Sequence, residues 1–208
     1  EDGSGAHEFE YGNMGEVIRK TTTLVDINNH AKTFSSFWEY DSWGRIQRLV
    51  YPDGEEVTYH YEKGNLTQVQ GNRGYRYLAS ATYDKFGSKL NESFGNGSSM
   101  EYQYTQDMRR LHSLKAAHSG AYFLNVNYEY DQVGDITEIS NSAAQKDNIG
   151  GPFTHSYTYD ALYRLASANG SRGLSSYNLD LTYSNSGNIL QKNLSSTIQL
   201  VDGSLMNS

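Results

Sequence analysis

The chain has 208 residues, with 18 tyrosines, 20 glycines, two prolines, no cysteine and a formal charge of −7. The negative charge gives no general attraction to nucleic acid or anionic lipid, and the absence of cysteine excludes disulfides and thiolate chemistry. No stretch approaches the roughly 18 consecutive apolar residues that indicate a membrane span. Mean hydropathy is low at −0.71, but the 13% of aromatic residues argues against disorder. These facts predict a polar, tyrosine-rich β protein that neither binds nucleic acid nor inserts into a membrane.

From the amino terminus, residues 1–8 are acidic and rich in small residues, and we predict a disordered lead-in there. The first hairpin is predicted from Phe9 onwards, with its return turn at Asn28-Asn29. The stretch 38–49, Trp-Glu-Tyr-Asp-Ser-Trp-Gly-Arg-Ile-Gln-Arg-Leu, is typical of strand, tight turn and strand. This stretch is the clearest example of a unit that recurs along the chain.

The turn within this unit has a physical explanation. Asp41 suits the first position of a type I turn, because its carboxylate can accept a bond from the backbone two residues on. Gly44 supplies the positive φ that follows such a turn in a hairpin with a bulge. Ile46 resumes the alternation of faces that Tyr40 closes.

The later elements follow the same plan. Further return turns are predicted at Pro52-Asp53-Gly54, Gly71-Asn72-Arg73-Gly74, Gly95-Asn96-Gly97 and Ser119-Gly120. Between them the faces alternate, as in Val57, Tyr59 and Tyr61, which is the signature of half-buried strands. The polar stretch 142–152 is interpreted as an extended hairpin connection rather than a linker. Only residues 105–118 have helical spacing, and a helix there is the less favoured alternative.

Eight tyrosines lead copies of the unit at steps of 21 to 29 residues. They are Tyr11, Tyr40, Tyr61, Tyr83, Tyr104, Tyr130, Tyr159 and Tyr183. A repeat of this length indicates an array of one supersecondary unit stacked on its neighbours. We expect the units to be consecutive hairpins lying side by side in one continuous layer. What recurs is Tyr, often Asp, Gly at the turn and an aliphatic residue two positions later, all explained by turn geometry and none by catalysis.

The pattern Tyr-Asp-x-x-Gly-[Arg/x]-[Ile/Leu] resembles the YD-repeat, or Rhs-repeat, family from about Phe9 to about Asp202. The motif positions are Tyr40, Asp41, Gly44, Tyr83, Asp84, Gly87, Tyr130, Asp131, Gly134, Tyr159 and Asp160. The copy at Tyr61 has its glycine one place early, and the copies at Tyr104 and Tyr159 have none at that place.

The family includes bacterial Rhs proteins, toxin-complex components, wall-associated proteins and teneurins. The resemblance implies an all-β, antiparallel hairpin-repeat sheet that forms a curved segment of a spiral YD-repeat β-shell. The implied function is to enclose a toxic C-terminal domain or to form an extracellular scaffold, in a secreted or cell-surface protein. The implied partners are further repeats of the same polypeptide or a C-terminal toxin domain.

No domain boundary is predicted after the lead-in, so residues 9–208 are expected to form a single YD-repeat β-domain. The units at Tyr11 and Tyr183 look like ordinary repeats rather than caps, so we expect the chain to belong to something longer. Free strand edges then predict self-association.

Candidate catalytic and metal sites are weak. The six histidines form no metal-binding spacing, and Gly95-Asn96-Gly97-Ser98 lacks the following helix that a nucleophile elbow or phosphate loop requires. Glu55 and Glu56 would point to opposite faces of a strand, and Asp41 belongs to the repeated turn. We therefore predict a protein that is not an enzyme and has no cofactor and no metal.

The alternative function is a carbohydrate-binding adhesin fragment that uses exposed aromatic side chains. Trp43 is the best candidate for stacking on a glycan, because it sits at a turn tip where burial is difficult, and Trp38 is the second. Packing against a neighbouring repeat is the competing explanation for both. Arginine and tyrosine also interleave over residues 73–77, as in single-strand nucleic-acid binders, but the net negative charge disfavours that function.

Overall fold

The computed structural model describes residues 5–146, 150–200 and 203–207. Within these residues every regular element is a β-strand, and the described strand pairings are antiparallel. The predicted all-β, antiparallel hairpin-repeat class is therefore confirmed. The chain divides into two compact units, residues 1–97 and residues 98–208. In the described part there is no helix that is long and apolar enough to cross a membrane.

In the first unit, β1 to β7 pair consecutively in chain order, and β8 pairs with β9. The strands are β1 Gly5–Tyr11, β2 Val17–Val25, β3 Ala31–Tyr40, β4 Ile46–Val50, β5 Glu56–Glu62, β6 Asn65–Gly71, β7 Arg76–Leu78, β8 Ser80–Tyr83 and β9 Lys89–Ser93.

In the second unit, the described strands again pair with their neighbours in chain order. They are β10 Ser98–Tyr104, β11 Leu111–His118, β12 Ala121–Tyr130, β13 Ile136–Asn141, β14 Phe153–Tyr159, β15 Leu165–Arg172, β16 Ser175–Tyr183, β17 Ile189–Gln199 and β18 Leu205–Asn207. β11 thus replaces the helix considered for residues 105–118, and the stretch 142–152 lies between the paired strands β13 and β14.

The period of two that the sequence predicts is visible in the burial of single strands. Along β16, half-buried and exposed residues alternate at every position from Ser175 to Tyr183. Successive side chains of a strand point to opposite faces, so one face of β16 carries Tyr177, Leu179, Leu181 and Tyr183. The alternation therefore places Tyr183, the leading tyrosine of this repeat, on the same half-buried face as Leu179 and Leu181.

The prediction of a disordered lead-in is wrong for residues 5–8, which belong to β1. Gly5 pairs with Leu24 and Glu8 pairs with Thr21 in a regular antiparallel ladder. The ladder uses only main-chain groups, so the polar side chains of this segment do not prevent it from pairing with β2. Residues 1–4 lie outside the described residues.

The hydrogen-bonded ladder of the first unit is interrupted, whereas the sequence predicts one continuous layer. β7 and β8 are separated only by Ala79 and do not pair with each other, because one residue cannot reverse the chain. Leu78 still pairs with Val69 of β6, whereas the Ala79 N–H donates to the Ser93 carbonyl at 2.8 Å. The strand therefore changes partners at Ala79, from β6 to β9.

Few side chains are buried. The buried apolar side chains of the described residues are Leu49, Val57, Leu78, Ala81, Ala116, Val126, Ala143 and Ala168. In contrast, 27 large apolar side chains of the same residues are exposed. Contacts within the sheets therefore leave much apolar surface of the described residues uncovered.

Candidate functional site: the tyrosine-led turn

The turn after Tyr40 is closed by bonds to Asp41. The Gly44 N–H donates to the Asp41 carbonyl at 3.0 Å, and the Asp41 N–H donates to the Arg45 carbonyl at 2.9 Å. Asp41 Oδ1 accepts from the N–H groups of Trp43 and Arg45 at 2.9 and 3.0 Å. Gly44 has φ +75°, a backbone conformation that residues with a Cβ rarely adopt. Asp41 and Gly44 together therefore determine the shape of this reversal.

The other aspartates of the motif make the same contacts, which we give as donor and distance to Oδ1. Asp84 accepts from the N–H groups of Phe86 at 2.8 Å and Ser88 at 3.0 Å. Asp131 accepts from the N–H groups of Val133 at 3.0 Å, Gly134 at 2.7 Å and Asp135 at 2.9 Å. Asp160 accepts from the N–H groups of Leu162 at 2.8 Å and Arg164 at 3.1 Å. Gly87 and Gly134 have φ values of +84° and +111°. Where the aspartate is replaced, Thr105 Oγ1 and Ser184 Oγ accept from the turn instead.

The leading tyrosines do not bond within their own turns. The hydroxyls of six leading tyrosines each donate to a main-chain carbonyl of the preceding repeat, at 2.7 to 2.9 Å. The pairs are Tyr40 to Val17, Tyr61 to Ile46, Tyr83 to Leu66, Tyr130 to Leu111, Tyr159 to Ile136 and Tyr183 to Leu165. In every pair the acceptor is the aliphatic residue that ends the preceding motif. The two most regular positions of the motif therefore meet across neighbouring repeats, and we call this contact the tyrosine link.

An arginine completes the tyrosine link in some repeats. The guanidinium carbon of Arg45 lies 4.2 Å from the ring centroid of Tyr61, and that of Arg164 lies 4.4 Å from the ring centroid of Tyr183. Each arginine is held by its own turn, since Arg45 Nε donates to Asp41 Oδ2 at 2.7 Å and forms a salt bridge with the same carboxylate. Cation–π contacts of this kind contribute about 0.5–1 kcal/mol at exposed sites.

Sequence reasoning missed this arginine role. The motif shows Arg only as an optional residue before the aliphatic position, and Arg45 and Arg164 occupy that position. Arg110 also lies over the ring of Tyr130, at 5.5 Å, although its turn has Thr105 in the place of the motif Asp and no Gly at the motif position. This contact could have been predicted from the sequence, because each such Arg is followed by a Tyr at the start of the next repeat.

The electrostatics of the tyrosine link are those of a stable structural contact. Burial raises the pKa of Tyr61, and also of Tyr130 and Tyr159, so these hydroxyls remain protonated donors at neutral pH. The side-chain bond from Arg45 lowers the pKa of Asp41, which therefore remains an ionised acceptor. In the described residues, no group of three or more His, Asp or Glu side chains is placed to hold a metal ion.

The two tryptophans predicted to stack on glycans lie in different environments. Trp43 is 75% exposed at the turn tip, with the Arg45 guanidinium 5.0 Å from its ring centroid. Trp38 lines an open groove of about 740 Å³ together with Met14 and Ile18, and Trp43 is not among the lining residues of that groove. The structure therefore does not bring Trp38 and Trp43 together in one cavity.

Replacing Tyr61 by phenylalanine is expected to lower the free energy of unfolding by about 1 kcal/mol. The change removes only the hydroxyl and leaves the Ile46 carbonyl without its donor. Urea unfolding followed by circular dichroism measures the effect. Tyr11→Phe is the control, because the ring of Tyr11 is 60% exposed and its substitution should change stability by less than about 0.5 kcal/mol. Equal effects of the two variants would contradict a stabilising tyrosine link.

Replacing Tyr163 by glycine is expected to stabilise the protein by about 1 kcal/mol. Tyr163 occupies the place of Gly44 in its repeat and has φ +60°, although its side chain is exposed. A left-handed conformation costs a residue with a Cβ about 1–2 kcal/mol, and glycine avoids this cost. The reciprocal variant Gly44→Tyr should destabilise by a similar amount in thermal denaturation. A lower thermal midpoint for Tyr163→Gly would show that its ring contributes more than the strain costs.

The thermal midpoint is expected to fall as pH drops below about 4. The pKa values of Asp41 and Asp160 lie below the ordinary value of 3.8, mainly because Arg45 and Arg164 bond their carboxylates. A depressed folded-state pKa adds stability above the unfolded-state pKa, and this stability is lost as pH falls through the folded-state value. Asp41→Asn should therefore make the thermal midpoint less dependent on pH between about pH 2 and 5. Asp180→Asn, on the exposed face of β16, is the charge-matched control.

Comparison with known proteins agrees with this geometry. The family model for the RHS repeat matches residues 40–77, beginning at Tyr40. Toxin subunit YenC1 of Yersinia entomophaga is 34% identical over 139 residues, which are 62% of this chain and 14% of that protein. Toxin subunit YenC2 of the same organism is 30% identical over a stretch of the same length. The chain thus corresponds to only 14% of the length of either relative.

Two solved structures share the fold. A crystal structure of TcdB2-TccC3-Cdc42 has a TM-score of 0.75 at 20% identity, covering 99% of this chain and 12% of that one. The Photorhabdus luminescens Tc holotoxin pore has a TM-score of 0.74 at 23% identity, covering 94% of this chain and 11% of that one. At these identities the likeness concerns the fold.

Successive antiparallel hairpins, six of them bonded through a tyrosine to the hairpin before, define a hairpin-repeat β protein. The turn motif and the family model agree on the kind of repeat. Residues 40–77 match an RHS, or YD, repeat, and the chain is similar to toxin subunits over 139 residues.

Proposed function

We propose that the chain is a non-catalytic wall segment of a larger, secreted RHS-repeat protein, in which it forms part of a shell around a toxic C-terminal domain. The tyrosine link carries this proposal, because it ties six repeats to the repeat before them and uses the motif residues for architecture. Its partners are further repeats of the same polypeptide or the enclosed toxin domain. An extracellular scaffold at the cell surface is less favoured, since the similar curated proteins are toxin subunits.

The uncovered apolar surface supports a wall rather than an isolated domain. Exposed apolar side chains occur on strands near both ends of the chain, including Phe9 and Leu24 in the first unit and Leu194 and Ile198 in the second. Surfaces of this kind are normally covered by other protein. The right-handed twist of neighbouring strands accumulates along a sheet, which supports the curved, spiral course proposed for the shell.

Protease protection in the parent polypeptide tests the proposal. If the repeats enclose the segment that follows them, a triple Tyr61→Phe, Tyr130→Phe, Tyr159→Phe variant should expose it, and digestion should become at least tenfold faster. A matched triple variant at the exposed tyrosines, Tyr11→Phe, Tyr75→Phe, Tyr163→Phe, should digest like the wild type. A following segment that is digested equally fast with and without the repeats would contradict enclosure.

Glycan screening separates the wall segment from the adhesin alternative. The Trp38 groove and the exposed ring of Trp43 are the observations that make this test worthwhile. A wall segment predicts no saturable binding on a glycan array at millimolar concentration. Saturable binding that is lost in Trp43→Ala or Trp38→Ala would favour the adhesin instead.

We further propose that residues 9–208 act as a single domain although they divide into two compact units. The tyrosine link occurs in both units, which supports one repeating architecture. A single calorimetric transition is the expected result, and two separate transitions would contradict it. Self-association through free strand edges is tested by sedimentation across protein concentration.

A further inference from the structure

The first unit contains an open pocket of about 490 Å³ beside its return turns. It is lined by Phe34, Tyr51, Pro52, Asp53, Glu55 and Tyr77, which we call the aromatic pocket. Phe34 lies on β3, Tyr51 follows β4, Glu55 precedes β5, and Tyr77 lies on β7. The rings of Phe34, Tyr51 and Tyr77 are each about two-fifths exposed, so π surface remains available to a ligand.

A glycine makes this arrangement possible. Gly71 of β6 is buried between β5 and β7, and a Cβ there would lie 2.7 Å from Glu55 Oε1 and 3.4 Å from the ring of Tyr77. Because Gly71 has no side chain, the Tyr77 hydroxyl reaches across β6 and donates to Glu55 Oε1 at 2.7 Å. This bond raises the pKa of Tyr77 to about 12, so the phenol stays neutral. Glu55 and Tyr77 are thus held together as one wall of the aromatic pocket.

The aromatic pocket carries an unbalanced negative charge. Arg73 neutralises Asp53, with Nη1 at 3.0 Å from Asp53 Oδ2 and Nη2 donating to the Asp53 carbonyl at 2.9 Å. Glu55 makes no ion pair with any described cationic side chain; its described side-chain bond comes from the neutral phenol of Tyr77. The carboxylate of Glu55 therefore faces the rings with its charge uncompensated.

We propose that the aromatic pocket binds an organic cation of the quaternary ammonium class, such as a trimethylammonium group. The faces of aromatic rings attract cations through their quadrupole, and groups of such rings are a recurrent way of recognising quaternary ammonium ligands. Glu55 adds Coulomb attraction, but one of its oxygens is already engaged by Tyr77. A quaternary ammonium suits this site, because its methyl groups can pack against the three rings and the proline while its charge is attracted by Glu55.

Titration of the 208-residue chain with choline, followed by NMR or calorimetry, tests this inference. Choline is expected to bind at millimolar concentration, and its uncharged isostere 3,3-dimethylbutan-1-ol at least tenfold more weakly. Phe34→Ala should weaken choline binding about threefold to fivefold. The matched control is Phe37→Ala, since Phe37 lies on the opposite face of the same strand with nearly equal exposure, 42% against 41% for Phe34. Glu55→Gln keeps an acceptor for Tyr77 and should remove most of the preference for choline over the isostere.

Vesicle sedimentation distinguishes the two sources of such a group. Sedimentation with phosphatidylcholine vesicles but not with phosphatidylethanolamine vesicles assigns the group to a lipid headgroup, whereas choline binding without sedimentation assigns it to a small solute. The proposal is overturned by the absence of saturable choline binding, by equal affinity for choline and the isostere, or by equal losses in Phe34→Ala and Phe37→Ala. All variants are first compared by circular dichroism, and Tyr51→Phe, which keeps the ring, should retain choline binding. None of these outcomes depends on the proposed shell.

Discussion

Replacing Asn141 by alanine is expected to lower the free energy of unfolding by about 3 kcal/mol. Asn141 ends β13 and is only 4% exposed. Its Oδ1 accepts from the N–H groups of Asn125 at 2.8 Å and Ala143 at 3.3 Å, while its Nδ2 donates to the Gly151 carbonyl at 2.8 Å. One side chain thus bonds β12 and both ends of the connection between β13 and β14.

The size of the effect follows from what the substitution leaves behind. Alanine would remove three bonds, and Ala143 and Gly151 are themselves buried, so water cannot easily replace the lost partners. A buried polar group without a partner costs about 1–3 kcal/mol. For a chain of this length, a loss of 3 kcal/mol corresponds to a decrease of about 6–12 °C in the thermal midpoint.

Two further variants separate the amide from general effects of substitution in β13. Ser140→Ala changes the neighbouring residue on the opposite face, and is expected to alter stability by less than about 0.5 kcal/mol. Asn141→Asp keeps the acceptor but places a carboxylate against the Gly151 carbonyl, so it should be at least as harmful as alanine at neutral pH. If Asn141→Asp had the same thermal midpoint as the wild type, the assignment of Nδ2 to the Gly151 carbonyl would be wrong.

Replacing Gly95 by alanine is expected to destabilise the first unit by about 3 kcal/mol. A Cβ on Gly95 would overlap the carbonyl oxygen of Arg76 and lie 2.9 Å from its carbonyl carbon. Both are main-chain atoms at the start of β7, so relief requires a backbone shift where the strand changes partners. Overpacking of this kind typically costs 1–3 kcal/mol, occasionally more.

The control for Gly95→Ala is Gly54→Ala. Gly54 has φ +81° but nothing within 4 Å of an added Cβ, so only backbone strain of about 1 kcal/mol is expected there. Thermal denaturation compares the two variants, and hydrogen exchange at Ala79 reports locally, since its N–H bonds to Ser93. Equal losses in both variants would mean that the close approach to Arg76 is unimportant.

The sequence predicted those features whose causes are local. The turn after Tyr40 depends on Asp41 and Gly44, which are three residues apart and act on the same four-residue reversal. The return turn at residues 51–54 lies where Pro52-Asp53-Gly54 places it, with the Gly54 N–H donating to the Tyr51 carbonyl at 3.0 Å. In the same way, a period of two along β16 shows which residues share a face.

Features that depend on pairing between distant segments were not predictable in this way. Residues 5–8 look disordered alone, but β2 offers them a complete ladder of main-chain partners. The change of pairing partner at Ala79 depends on the competing ladders of β6 and β9, and the residue type at position 79 does not indicate it. A buried asparagine such as Asn141 looks like any loop asparagine until its three partners are brought together.

The sequence by itself thus determined the repeat, the hairpin turns and the resemblance to RHS repeats, because turn chemistry and alternation act within a few residues. The tertiary structure decided what the leading tyrosine does. Its hydroxyl finds a carbonyl 15 to 23 residues earlier, and that meeting depends on the register between strands, which no single copy of the motif contains. It also decided that Glu55, Phe34 and Tyr77 line one pocket, because Gly71 leaves the space through which Tyr77 crosses β6.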